Sequence, residues 1–513
     1  MGRATGSVDG RRTGSTDVSP RSTDMQRYFG YAVAVAALLR VGPAEAHGFG
    51  ARYDLPLPLS LYLLGAALVV ALSFLLLAIF ARASKTSGPA SVESACLRVP
   101  HGPAARALSL VIRGISAALL ILLLIAGFFG SESPFKNPLP VFVWIIGWVG
   151  IAYTSALLGN VWALISPWDG LFRFGEWICC RNGRSPRPLM PYPEVLGASP
   201  ALILFFGFAW MELVWPARDR PAALASAILI YSAISWTGMA VFGRRTWVAN
   251  GEAFAVAFGL LARFAVLAHK HDGDDNGIVL RAPAVGLLVR SPVARSIAAF
   301  ALLILATVTF DGFLETPLWA AISDWALTSA FLHQAAVVFG SSPYLLLTSA
   351  ALICFPLIFA AIYLLVARLM ALALSTDDVS VNTSDVACLF VLTIVPIAIA
   401  YHLSHYLSYL LIAGQFIIPI ASDPFALGWN LFGTRLYLID LSIINARFVW
   451  YASLTLIVAG HVIAVWLAHA QAMRRFADRA RILKSQIPML ALMVGYTAVS
   501  LWILAQPITQ AGS

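Results

Sequence analysis

Long apolar stretches alternate with short polar loops along most of this chain, and the pattern predicts membrane-spanning helices. The apolar stretches reach about 18 residues or more, the length that an α-helix needs to cross a bilayer. They must be helical, because a segment in lipid has to satisfy its backbone hydrogen bonds internally. The predicted fold is an all-α, polytopic transmembrane helix bundle of about ten spans, at residues 57–80, 108–130, 139–159, 200–216, 222–243, 297–316, 343–374, 387–418, 448–471 and 487–506.

One further apolar segment, "GEAFAVAFGLLARFAVLA" at 251–268, differs from these spans because it carries Glu252 and Arg263. Basic residues flank it. If it crossed the bilayer, every later loop would change sides, and the basic loop at 472–486 would face outward. We therefore expect an interfacial or re-entrant helix here.

Composition and charge agree with a membrane protein. Of the 513 residues, 60% are apolar and 12% charged, whereas soluble proteins carry roughly a quarter charged residues. The net charge of +9 resides in loops between apolar runs, which orients a membrane protein and does not indicate nucleic-acid binding. The positive-inside rule places the basic loops in the cytoplasm and both mature termini outside; these loops are 81–107, 161–199, 244–296 and 472–486.

The N-terminal residues are predicted to be separate from the bundle. Residues 1–24 are rich in Gly, Ser, Thr and Arg and are expected to be disordered and basic. Residues 25–46 combine a basic start, a short apolar core and small residues before a cleavage site, which indicates a signal peptide. Cleavage would leave a transmembrane domain at 47–513. The new terminal His47 either chelates copper through its amine and ring or simply lies beside the cleavage site.

Ionisable side chains inside the spans are the candidates for function, because burying them in a membrane is costly. "AIAYHLSHYLSYLL" places His402 and His405 three positions apart, so both rings can lie on one side of a helix. "TFDGF" supplies Asp311 from the sixth span, and "AGHVIAVWLAH" supplies His461 from the ninth. Judged from the span boundaries, these four residues lie at a similar depth.

Three imidazoles and a carboxylate can bind a divalent metal such as Zn²⁺. The sequence therefore predicts a site in which the four residues are metal ligands and catalytic groups. The neighbouring Tyr401, Tyr406 and Tyr409 could orient the imidazoles by hydrogen bonding. Two alternatives stay open. Each histidine could only bond a neighbouring helix and stabilise packing, or histidines on two helices could bind haem b from opposite faces.

Several stretches together resemble a known family; they are "HGFGARYDLPLPLSLYLL", "GNVWALISPWDGLF", "GEAFAVAFGLLARF", "TVTFDGF", "AYHLSHYLSYLLIAGQ", "GWNLFGT" and "AGHVIAVWLAH". Their order and character are similar to a bacterial membrane family named after the membrane-bound fenitrothion hydrolase, from about His47 to about Phe476. The resemblance implies a bacterial plasma membrane, hydrolysis of an aryl phosphotriester and a second, related subunit. The family's polar motifs fall on Asp311, His402, His405, Gln415, His461 and His469. Gln471 departs from the acidic residue expected after His469.

The resulting hypothesis is a metal-dependent membrane hydrolase acting on a small lipophilic phosphotriester. A metal lowers the pKa of bound water to about 7 and polarises the phosphoryl oxygen. The chain has no Walker-type glycine-rich loop and no Gly-x-Ser-x-Gly elbow, which argues against NTP-driven transport and serine hydrolysis. The alternatives are a transporter or metal-handling protein whose His and Asp line a pathway, and a subunit whose polar residues only hold helices together.

Overall fold

The structure is a computed structural model that describes residues 45–46, 53–54, 56–80, 95–97, 103–179, 187–272, 275–376, 378 and 380–506. The predictions for the basic N-terminus, for most of the signal peptide and for His47 lie outside the described residues. The helices are α1 (Leu59–Phe80), α2 (Pro103–Phe129), α3 (Pro138–Leu157), α4 (Trp162–Ile165), α5 (Pro167–Cys179), α6 (Ser199–Leu213), α7 (Pro221–Phe242), α8 (Arg244–Asn250), α9 (Ala253–Leu261), α10 (Arg295–Leu314), α11 (Pro317–Leu327), α12 (Ala330–Val338), α13 (Pro343–Leu374), α14 (Thr383–His405), α15 (Leu407–Ser422), α16 (Ala446–Arg475) and α17 (Arg479–Leu504).

The described residues include two small antiparallel sheets. Strand β1 (Glu45–Ala46) pairs antiparallel with β2 (Tyr53–Asp54). A second sheet has the order β3 (Ala95–Leu97), β5 (Asp275–Leu280), β4 (Leu267–Asp272), with all pairs antiparallel.

The all-α polytopic prediction is confirmed. Within the described residues, nine helices are long and apolar enough to cross a membrane: α1, α2, α3, α7, α10, α13, α14, α16 and α17. The most apolar stretch of α14 is buried throughout, whereas only 11% of the corresponding stretch of α1 or of α2 is buried. A helix that is apolar on all sides can pack at the centre of a bundle, so α14 forms the axis and α1 and α2 lie at the periphery.

The predicted span at 200–216 is the shorter helix α6, which has 15 residues. It begins beside α10, because the Ala198 backbone N–H donates to Ser296 Oγ at 2.8 Å. Pro216 follows its last turn, and a proline disfavours helical conformation in the residue before it. We call the end where α6, α10 and α14 finish the upper end of the bundle, and the end where they begin the lower end.

The segment 251–268 contains the nine-residue helix α9, which is too short to cross a hydrocarbon core of about 30 Å. It is buried inside the bundle and does not lie on the surface, with Ala257 and Phe258 fully enclosed. Glu252 caps it, accepting the backbone N–H groups of Phe254 and Ala255 at 3.1 and 2.6 Å. The Trp162 indole N–H donates to the same carboxylate at 2.9 Å. The motifs "GNVWALISPWDGLF" and "GEAFAVAFGLLARF" thus pack against each other through Trp162 and Glu252.

Helices α14 and α16 cross closely at a glycine. A Cβ placed on Gly460 would lie 2.4 Å from Ala400 Cβ and 2.9 Å from the Pro396 carbonyl oxygen. Small residues let membrane helices approach in this way. The contact also fixes depth, because Gly460 is level with Ala400, while Ser404 Oγ lies 3.5 Å from the Ser453 carbonyl oxygen nearer the upper end.

A charge cluster joins helices at the lower end. Asp169 of α5 bonds Arg113 of α2 at 2.5 Å, Arg173 at 2.9 Å and Arg244 of α8 at 2.7 Å. Burial would raise the pKa of Asp169, but the hydrogen bond from Arg244 and the positive charges of Arg173, Arg244 and Arg113 outweigh burial, so the pKa is lowered. The ionised carboxylate therefore holds three segments together.

Candidate functional site

A polar cavity of about 350 Å³ opens at the upper end of the bundle. It lies where α6 stops after Leu213, while α10 and α14 continue to Leu314 and His405. Its lining consists of Trp144, Glu212, Leu213, Arg218, Asp219, Asp311, Glu315, His405, Tyr406, Ser408, Tyr409, Ile412 and Ala413. The early end of α6 therefore leaves space beside the polar residues of its neighbours.

Asp311 and His405, two of the four predicted site residues, meet in this cavity. His405 Nε2 lies 3.0 Å from Asp311 Oδ2, and the Tyr406 hydroxyl donates to the same oxygen at 2.6 Å. Consecutive residues on a continuous helix point about 100° apart. Here α14 ends at His405 and Tyr406 leaves the helical conformation, so both side chains can reach one carboxylate.

The hydrogen bonds assign the roles of the two His405 ring nitrogens. When Asp311 is ionised, its carboxylate only accepts hydrogen bonds, and Nε2 then carries the proton that binds Asp311. In a neutral imidazole the other nitrogen then has the free lone pair. The arrangement is a carboxylate that orients an imidazole, the pairing found where histidine acts as a general base.

The cavity wall contains four more acidic or basic groups that were not among the predicted site residues: Glu212, Arg218, Asp219 and Glu315. Burial raises the pKa of Glu315; the nearby His405 opposes this shift, and the Asp311 charge adds to it. Glu212 lies inside the predicted span 200–216, so the criterion that selected Asp311 would also have selected it. Glu315 lies inside the predicted span 297–316, so the same criterion would have selected it too. Arg218 and Asp219 lie just beyond a span, where the sequence gives no comparable signal.

His402 does not line the cavity, and it contacts Tyr406, which also bonds Asp311. Its ring packs edge-on against Trp148 at 5.3 Å and against Tyr406 at 4.7 Å between ring centroids. Its Nε2 atom is buried and has no hydrogen-bond partner among the described residues. Trp148 belongs to a π-helical segment of α3, Val141–Gly150, and such wide turns are frequent near functional sites. His402 thus lies next to the cavity without lining it.

His461 lies deeper in the bundle than the cavity. Its Nδ1 lies 2.8 Å from the Ile457 carbonyl oxygen, and its ring centroid is 5.8 Å from that of Tyr496. The close contact of the adjacent Gly460 with Ala400 places the His461 backbone about 9 Å below the His405 backbone along the bundle, since an α-helix rises 1.5 Å per residue. Among the described residues, no three or more His, Cys, Asp or Glu side chains are grouped to hold a metal ion.

The three tyrosines expected to orient the imidazoles, and Gln415 of the family's polar motifs, which is expected to support the site from outside the ligand shell, occupy different positions. Tyr406 and Tyr409 line the cavity. Tyr401 is fully buried one turn below His405, with its hydroxyl against Gly312, where an added Cβ would lie 2.2 Å away. Gln415 lies outside the cavity and binds the Tyr437 hydroxyl and the Asp440 backbone, each at 2.9 Å.

The last of the polar motif positions is at the lower end of α16. His469 Nδ1 lies 3.1 Å from Gln486 Oε1 of α17. Gln471 bonds both the N–H and the carbonyl of Val289 through its amide. Both side chains therefore connect segments at a distance from the cavity.

The chemistry available to the cavity follows from its lining. Glu212, Asp219, Asp311 and Glu315 supply carboxylates, His405 supplies an oriented imidazole, and Arg218 supplies a guanidinium. Apolar surface that could contact a neutral ligand comes from Trp144, Tyr409 and Ile412. No protein-family model, curated protein or solved structure matches this chain.

Proposed function

We propose that this protein is an integral membrane hydrolase that acts on small lipophilic phosphotriesters of the fenitrothion type at the Asp311–His405 pair. The observation that carries the proposal is the 3.0 Å contact between these side chains in a cavity open at the upper end. The substrate class comes from the resemblance of the sequence motifs to the fenitrothion hydrolase family. A neutral triester suits a lining with several carboxylates, because its anionic diester product would be repelled.

In the proposed reaction, the free nitrogen of His405 takes a proton from water as the oxygen attacks phosphorus. The bond from phosphorus to the aryl oxygen breaks, and a nitrophenolate leaves. Asp311 holds the ring in position and stabilises the imidazolium that forms, the role of the carboxylate in such pairs. Arg218, the one arginine or lysine among the described lining residues, would offset negative charge that develops on the phosphoryl oxygens.

The metal site proposed from the sequence would need His402, His405, His461 and Asp311 in one shell. Catalytic zinc sites use three protein ligands, and of these four only Asp311 and His405 are in contact in this structure. The donor set as arranged does not fit that shell, so the reaction is assigned to side chains alone. The divalent metal and haem b remain predictions of the sequence.

A second candidate is a transporter or metal-handling protein. The observation that favours it is the excess of acidic over basic groups: Glu212, Asp219, Asp311 and Glu315 face the cavity against Arg218. Carboxylates inside membrane proteins often mark paths for cations or protons. A cation held in the cavity would be the cargo.

The proposed location is the bacterial plasma membrane, with the cavity on the outer face and both mature termini outside. The basic loops support this orientation by the positive-inside rule. A lipophilic substrate would reach the cavity from the bilayer or the periplasm. A second, related subunit is part of the proposal through the family resemblance.

The test is hydrolysis by the purified chain in lipid nanodiscs, followed as p-nitrophenol release from a lipophilic p-nitrophenyl phosphotriester. His405→Gln should lower kcat by about 10²–10⁴-fold, the usual effect of losing a general base. His333→Gln is the matched control, because His333 is exposed on α12 and bonds only the Ser329 carbonyl among described residues. Metal content is measured on the same samples. No release by the wild type would contradict the hydrolase, and bound metal without release would favour the second candidate.

A further inference from the structure

The chain between α15 and α16, residues 423–445, presents large apolar side chains to its surroundings. We call it the apolar loop. Leu436 and Leu438 expose 87% and 86% of their surface, and Phe432 exposes 70%. Further exposed members are Leu427, Trp429, Leu431, Leu441 and Ile443. Single exposed apolar residues are ordinary, but a group of this size marks a surface that contacts something other than water.

The polar side chains of the apolar loop, and Ser422 directly before it, bond the backbone of the loop. Both Asp423 carboxylate oxygens accept backbone N–H groups, from Leu427 and Gly428, at 2.8 Å each. Ser422 Oγ accepts the N–H groups of Phe432 and Thr434 at 2.9 and 3.3 Å. These bonds hold the loop in a defined conformation.

The three charged residues of the loop are bound in the same way. Asp423 makes the two bonds just described, Arg435 donates to the Gly428 carbonyl at 3.0 Å, and Asp440 accepts from the Ser442 N–H at 2.8 Å. Asn430 Oδ1 accepts the N–H of Arg435 at 3.1 Å. A loop that binds a protein partner would keep polar groups at the rim of its contact surface. Here the charged side chains bond backbone groups of the loop itself.

We propose that the apolar loop inserts its exposed side chains into the hydrocarbon of the bilayer leaflet at the upper end of the bundle. Backbone in lipid must be satisfied internally or covered by protein, and the side chains of Asp423, Ser422 and Asn430 accept five backbone N–H groups of the loop. Leucine and phenylalanine gain free energy when they leave water for the acyl chains. The loop is thus a membrane-inserted element outside the spanning helices.

The position of the loop gives this insertion a consequence for the cavity. Gln415 accepts hydrogen bonds from the Tyr437 hydroxyl and the Asp440 N–H, each at 2.9 Å, and so ties the loop to α15. The same helix supplies Tyr409 and Ile412 to the cavity wall. Resting on the proposed function, we infer that a triester dissolved in this leaflet reaches the cavity along the inserted loop.

The test measures depth with a nitroxide spin label in the full chain, reconstituted in lipid vesicles, with native cysteines replaced by alanine. The label is attached after Leu436→Cys. Leu68→Cys on the lipid-exposed α1 is the control for hydrocarbon, and Asp378→Cys, exposed between α13 and α14, is the control for water. Collision rates are measured with oxygen, which concentrates in lipid, and with a water-soluble nickel chelate.

Insertion predicts that position 436 shows the high oxygen-to-nickel ratio of position 68. A ratio equal to that of position 378 would overturn the proposal, because the loop would then be in water. Protection from both reagents with spin–spin broadening would also overturn it and indicate contact with a second copy. The measurement does not involve hydrolysis, so its failure is distinguishable from failure of the proposed function.

The consequence for substrate access has a separate test. Leu436→Asp combined with Leu438→Asp should raise KM for a membrane-dissolved triester and leave kcat unchanged, because the catalytic pair is untouched. KM for a short-chain, water-soluble triester should stay at the wild-type value. Equal changes in KM for both substrates would contradict access along the loop.

Discussion

Asp311 accepts the His405 ring N–H and the Tyr406 hydroxyl on one carboxylate oxygen. The Asp311→Asn substitution removes the negative charge that fixes the proton on His405 Nε2. In the proposed reaction, the same charge stabilises the imidazolium. We expect kcat to fall by about 10²–10⁴-fold, with a smaller loss in Tyr406→Phe, which keeps the His405 contact. The measurement is p-nitrophenol release, with thermal unfolding of each variant to show that the fold is intact. An Asn variant with wild-type kcat would remove Asp311 from the mechanism.

The residues of the candidate site could be predicted only in part. Asp311 and His405 stand out because ionisable side chains in apolar spans are costly, and the structure brings them together. Depth within a span is less well determined by the sequence: the span boundaries predict His461 level with the others, whereas the contact of Gly460 with Ala400 places its backbone deeper. Glu212 carried the same signal as Asp311 and could have been selected from the sequence.

At the scale of the helices, two glycines give a matched pair of substitutions with opposite expected effects. Gly460→Ala places a Cβ 2.4 Å from Ala400 Cβ, and forcing α14 and α16 apart should destabilise by about 1–3 kcal/mol. Gly495→Ala on α17 meets no atom within 4 Å and should stabilise by up to about 1 kcal/mol through helix propensity. Thermal unfolding in the same detergent measures both. Equal changes in Tm would contradict the close crossing.

The charge cluster at the lower end predicts a pH-dependent effect. Asp169→Asn leaves Arg113 and Arg244 without their carboxylate and should destabilise by about 3–5 kcal/mol, the usual result of removing one partner of a largely buried ion pair. Because the pKa of Asp169 is lowered in the folded state, its contribution is fully present above the unfolded pKa and is lost as pH falls below about 4.

Stability measured against pH checks this prediction. The difference in Tm between wild type and Asp169→Asn should be constant near neutral pH and shrink on acidification. Asp324→Asn, at an exposed position on α11, is the control and should leave Tm unchanged. A difference that grows at low pH would contradict the assigned role of the ionised carboxylate.

Two helix boundaries show where the pattern of apolar residues loses information. The segment 387–418 reads as one span, but the helix ends at His405 and resumes at Leu407, with no glycine or proline at Tyr406 to indicate it. At this break, His405 and Tyr406 both contact Asp311. Asp311 belongs to α10, which is far from Tyr406 in the sequence. Pro216, by contrast, was a visible reason for α6 to stop early.

For the whole molecule, alternation of the spans predicted which helix ends share a side. The structure agrees, because Glu212, Asp311, His405 and Tyr409 meet at one end, while Arg113, Asp169 and Arg244 meet at the other. Hydropathy gives this connectivity because each crossing reverses direction. It does not give the distances between side chains at a shared end, which depend on packing between helices far apart in sequence.

The absolute orientation is the last prediction. The basic loops favour the cytoplasm, so the cavity should face outward. In a cysteine-free background, Asp219→Cys at the cavity wall should react with a membrane-impermeant maleimide in intact cells. Asp378→Cys, in the loop between α13 and α14, should react only after permeabilisation; both native side chains are exposed.

The loop at 375–386 contains Asp377 and Asp378 and no Lys or Arg. The positive-inside rule therefore cannot be applied to this loop by itself. Its side is therefore set by the basic loops before and after it, since each helix between them crosses once. Labelling of position 378 alone in intact cells would invert the topology and place the cavity in the cytoplasm. Labelling of neither position before permeabilisation and both after it would contradict crossing by the helices between them.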